Sequence, residues 1–87
     1  MKVLAINNIE RKDVPIYYRR LFTGILVLEM PTKNEEREID FTIETKPTGQ
    51  RLITVTLAKE IDYPLVPLMN AIKKHIADLD DAGDLPG

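Results

Sequence analysis

The stretch that decides the fold runs from residue 38 to 59: Glu38-Ile39-Asp40-Phe41-Thr42-Ile43-Glu44-Thr45-Lys46-Pro47-Thr48-Gly49-Gln50-Arg51-Leu52-Ile53-Thr54-Val55-Thr56-Leu57-Ala58-Lys59. Its first half alternates cleanly. Ile39, Phe41 and Ile43 point one way, and Asp40, Thr42 and Glu44 point the other. That is the period of a half-buried strand over 38–46. Lys46-Pro47-Thr48-Gly49 is a turn with a mechanism: Pro47 presets φ for the first central position, and Gly49 can take φ > 0 in a following bulge. A second strand over 51–59 sets Ile53, Val55 and Leu57 against Thr54 and Thr56. The pair forms an antiparallel hairpin with one apolar and one wet face.

Upstream, residues 17–30 read as one long strand closed by Pro31. One alternate set is Leu21, Thr23, Ile25, Val27 and Glu29; the other is Phe22, Gly24, Leu26, Leu28 and Met30. Both sets are apolar in the middle, the pattern of a strand covered on both sides. Gly24 marks a bulge or a close approach of another chain segment. Residues 2–6 read as a short strand. Residues 7–16 show no period, carry the turn signal Asn7-Asn8, and read as a loop or arm. Residues 31–37 read as a polar loop.

Downstream, residues 63–81 read as a helix. Leu65, Leu68, Ile72, Ile76 and Leu79 repeat at three and four residues, widened by Val66 and Met69. Asp62 is the expected N-cap, and Pro64 and Pro67 fall early enough to be tolerated. Gly83 suits the C′ position, and residues 83–87 are expected to be a mobile tail. The expectation is an α+β fold: an antiparallel sheet of three to four strands (2–6, 17–30, 38–46, 51–59) with one C-terminal helix on one face, as a single domain over 1–87.

One helix covers one face of such a sheet. The second apolar face of strand 17–30 needs another cover, either the arm at 7–16 or a second copy of the chain. A homodimer is therefore expected, with Ile25, Leu26, Val27 and Leu28 as the self-association set. A further protein partner is compatible with this.

Composition bounds the chemistry. The chain has 87 residues, a formal charge of −2, one His and no Cys. No Ser occurs either. Disulfides, thiolate and Ser nucleophiles and Cys-held metals are therefore excluded. His75 stands beside the apolar stripe with no motif-linked partner, so it reads as a boundary residue. Gly24 and Gly49 are isolated and form no phosphate loop. No catalytic, cofactor or metal residues are expected, and an enzyme is not. The apolar run Val3–Ile6 is too short for a signal peptide core, and no stretch approaches a membrane span. A cytoplasmic protein is expected.

The charge is unevenly placed. Residues 1–20 carry +3 and residues 78–87 carry −4. Asp78, Asp80, Asp81 and Asp84 oppose the helix dipole and are expected to form a solvated, fraying end. At the other pole, Tyr17-Tyr18-Arg19-Arg20, with Arg11 and Lys12, is the material of a single-strand nucleic-acid platform. The strand–strand–strand–strand–helix order recurs among small single-strand nucleic-acid binders that dimerise through their helices. That is an analogy of topology, and a fold does not fix a function. The near-neutral charge gives a weak electrostatic footprint, so nucleic acid is the alternative to a non-catalytic, self-associating interaction module.

Overall fold

A computed structural model describes residues 1–87. Four strands and one helix follow in the order β1 (Lys2–Lys12), β2 (Arg19–Glu29), β3 (Asn34–Thr45), β4 (Arg51–Leu57) and α1 (Leu65–Asp81). The strands form one antiparallel sheet in the order β1-β2-β3-β4, so each strand pairs with its neighbour in sequence. The fold is α+β, as the patterning implies.

The β3–β4 hairpin closes as its sequence dictates. Lys46 N–H donates to Gln50 O at 2.8 Å, Gly49 N–H donates to Lys46 O at 2.8 Å, and Gly49 takes φ 88°. In this register Ile39 faces Leu57, Phe41 faces Val55 and Ile43 faces Ile53 on the helix side. Phe22 of β2 sits opposite Phe41, and the two rings stack with centroids 5.0 Å apart. Leu68, Ile72 and Ile76 of α1 drop onto these residues and are fully buried. They lie at i, i+4 and i+8, which places them on one helix face.

Three boundaries differ from the sequence reading. Residues 7–12 are not an arm: β1 continues to Lys12 beside β2. Its alternation is broken by irregularities between Val3 and Ala5 and between Asn7 and Glu10, where Asn8 takes φ 53°. The Asn pair is spent on a bulge rather than a turn, a conformation Asn tolerates better than most residues. β3 begins at Asn34, four residues before its apolar alternation, because Asn34–Arg37 pair with Glu29–Leu26 of β2. Tyr17 and Tyr18 lie in a turn ahead of β2, where Arg19 N–H donates to Ile16 O at 3.3 Å.

The helix ends also differ. Pro64, not Asp62, stands at the N-cap, and no side chain caps the first turn. At the other end Gly83 (φ 73°) does take the C′ position. Gly83 N–H donates to Asp80 O and Asp84 N–H to Leu79 O, the paired bonds of a Schellman cap. Leu85 then packs against the core, so the tail expected to be mobile is pinned at residues 84–85.

Candidate functional site

The uncovered face of the sheet is the first candidate. Antiparallel partners share a face, so the registers assign it. Opposite the helix, β2 presents Leu21, Thr23, Ile25 and Val27, and β1 sets Ala5 beside Val27 and Asn7 beside Ile25. No element lies over them: β1 pairs edge to edge with β2 and contributes no cover. The set chosen from sequence is therefore split. Ile25 and Val27 stand half-buried on this open face, while Leu26 and Leu28 are fully buried on the helix side. Ala5 and Leu21 complete the open stripe, a membership readable from the alternation of β2 for Leu21 but hidden by the β1 bulge for Ala5.

Charges border the stripe asymmetrically. β3 turns Glu36, Glu38, Asp40 and Glu44 to this face. Lys2 and Lys12 of β1 and Arg19 of β2 lie on the other side of it, with Glu10 and Glu29. Lys12 approaches Asp40 at 3.8 Å and Arg19 approaches Glu44 at 3.6 Å.

The six residues of the nucleic-acid alternative are not brought onto one platform. Lys12 and Arg19 are on the open face, whereas Arg20 and Arg11 turn to the helix side, opposite Ile43 and Phe22. Arg20 is held by Asp80 through two bonds of 2.8 and 3.0 Å. The tyrosines are exposed, Tyr17 almost wholly, with rings edge to face at 5.7 Å. With Glu44, Thr45, Lys46 and Pro47 they line a shallow groove of about 640 Å³.

The acidic helix end is not a solvated tail throughout. Asp80 is largely buried and also accepts from Arg51 of β4 at 2.9 Å, while Arg51 reaches Asp81 at 2.9 Å. The Arg20 guanidinium first, and Arg51 after it, hold the Asp80 carboxyl below the usual carboxylate range against the opposing effect of burial. Arg51 is raised in turn, by Asp80 and then Asp81. Sequence reasoning missed this clamp because its members lie 60 and 29 residues apart. Asp78 instead pairs along the helix with Lys74. His75 is half-buried, and no group of three or more His, Cys, Asp or Glu is gathered that could hold a metal ion. No helix is long and apolar enough to cross a membrane.

A family model matches residues 1–81, from the first residue through the last residue of α1. The chain belongs to the BB-0187 family. The family match takes in all four strands, the helix, the open stripe and the Asp80 clamp, and stops before the tail that carries Leu85. No curated protein and no solved structure matches this member of the family.

Proposed function

We propose that the chain is a non-catalytic interaction module that associates with itself through the open face of its sheet. One observation carries the reading: Ala5, Leu21, Ile25 and Val27 form an apolar stripe on a sheet face that nothing in the chain covers. A second copy turned by half a turn about an axis along β2 would also set the β1 side of one sheet over β3 of the other. Lys2 and Lys12 would then lie near Glu36, Glu38 and Asp40. This reading implies a homodimer, leaves room for a further protein partner, and goes with a cytoplasmic location, which the cysteine-free composition suits.

Ile25→Lys tests it. The side chain points away from the core, so the variant is expected to fold with an unchanged circular dichroism spectrum and to sediment at the monomer mass at micromolar concentration. A wild-type chain that is itself monomeric there defeats the proposal.

Single-stranded nucleic acid is the second reading, favoured by the nearly full exposure of Tyr17. It requires binding that weakens steeply with salt. No mobility shift with oligonucleotides at about 50 mM salt ends it.

A further inference from the structure

The two edges of the sheet are built differently. β1 is guarded: two irregularities break its register, Asn8 takes φ 53°, and Lys2, Glu10, Arg11 and Lys12 stand exposed along it. Bulges and charges of this kind are how edge strands avoid pairing with another chain. β4 has none of these devices. It reads Arg51-Leu52-Ile53-Thr54-Val55-Thr56-Leu57, in unbroken register with β3 and without Pro, Lys or bulge. Its one charge, Arg51, is engaged by Asp80 and Asp81.

The free hydrogen-bonding groups of this edge can be assigned. Gln50 O accepts from Lys46 N–H at one end of β4, and Ala58 N–H donates to Glu38 O at the other. Backbone groups alternate along an antiparallel strand. Residues 52, 54 and 56 therefore bond to β3, and the N–H and C=O of Arg51, Ile53, Val55 and Leu57 point outward. None of the backbone bonds outside the strands and helix satisfies these four residues. Their side chains share the helix side, yet Ile53, Val55 and Leu57 are only half-buried, whereas Ile39, Phe41 and Ile43 of β3 beside them are at most 2% exposed. The helix thus leaves the β4 rim of the core open. Leu65 and Val66 at the start of α1 are 61% and 70% exposed, and Leu65 lines an apolar groove with Leu57, Ile61, Tyr63, Leu68 and Met69.

We propose that the β4 edge pairs antiparallel with β4 of a second copy, about a two-fold axis at Thr54. The strand is self-complementary in that register. Ile53 faces Val55 and Arg51 faces Leu57 as hydrogen-bonded pairs, Leu52 faces Thr56, and Thr54 meets its own copy on the open side. An axis at Val55 would instead set Arg51 opposite Lys59, like charges directly across, which is unfavourable. An axis at Ile53 would run the pairing into the Pro47–Gly49 turn. The product is a continuous eight-stranded sheet with both helices on one face, and the half-buried side chains of the two β4 strands extend one core into the other. The contact uses different residues from the open-face stripe and stands independently of it.

A cysteine-free chain makes the register directly testable. In a non-hydrogen-bonded antiparallel pair the Cα atoms are about 4.5 Å apart, within disulfide range. Thr54→Cys is expected to give a disulfide-linked dimer under mild oxidation. Thr56→Cys lies two residues off the axis, with its two copies about 14 Å apart, and is expected to cross-link at least about tenfold more slowly. Thr54→Lys and Thr54→Glu are each expected to lose this contact, and an equimolar mixture to regain it. Equal cross-linking of the two cysteine variants overturns the proposal. Repeating the experiment with Ile25→Lys added separates the two surfaces: selective cross-linking at Thr54 persists if the edge pairs on its own. If Ile25→Lys abolishes it, the edge contact as an independent surface is refuted.

Discussion

A β-carbon added at Gly24 would stand 2.8 Å from Ile6 Cγ2 and 3.4 Å from Asn7 O. The glycine in the middle of β2 is therefore required by the close approach of β1, one of the two roles its position in an apolar strand suggested. Cγ2 is a short branch next to the backbone and cannot swing away. Gly24→Ala should cost about 1–3 kcal/mol through this overlap. The cause is specific, so the cost should shrink when Ile6→Ala removes the offending methyl, although that change alone destabilises. A double-mutant cycle by urea denaturation measures the coupling. Strictly additive losses would place the cost of the added methyl elsewhere.

At the scale of elements, local pattern was a good guide where one face was wet and a poor one where pairing overrode it. The β3–β4 hairpin and the helix stripe were legible because alternation and the three-and-four repeat are properties of the residues themselves. The first half of β3 was not: Asn34, Glu35, Glu36 and Arg37 have loop composition and become a strand only because β2 is there to pair with them. The bulge in β1 hid the second half of that strand by shifting its side chains out of phase. The open face was half legible, since the alternation separates Ile25 and Val27 from Leu26 and Leu28, but which set lies under the helix depends on tertiary packing. The contact that fixes the end of the helix was not legible at all, and it makes its own prediction. Asp80 joins α1 to β2 through Arg20 and to β4 through Arg51. Removing its charge leaves Arg20 partly buried without a counter-ion, so Asp80→Asn should cost about 1–3 kcal/mol near neutral pH. The carboxyl is held below its ordinary value in the folded chain. Its contribution is therefore complete above the unfolded value of about 4 and disappears as pH falls through the lower folded value. Wild type and Asp80→Asn should converge in stability in acid and diverge by pH 7. Two parallel stability–pH curves would show that the clamp does not act through ionisation.

For the whole molecule, the charge is distributed more informatively than its total of −2 suggests. The +3 of the first twenty residues and the −4 of the last ten partly cancel inside the fold, where Arg20 meets Asp80. What remains uncancelled is on the open face: carboxylates on β3 along one side of the stripe, and Lys2, Lys12 and Arg19 on the other. The two surfaces proposed for association should therefore respond differently to salt. Face-to-face packing sets opposite charges of two copies across a solvated rim, an attraction screened over about 10 Å at 0.1 M ionic strength and about 3 Å at 1 M. Edge pairing at β4 relies on backbone bonds and apolar side chains, with its one charge already satisfied within the chain. Sedimentation of Thr54→Lys, which retains only the face contact, should show a dissociation constant that rises with salt. Ile25→Lys, which retains only the edge, should show a nearly constant one. Reversed responses would mean that the rim charges repel across the face and that its apolar stripe alone holds the copies together.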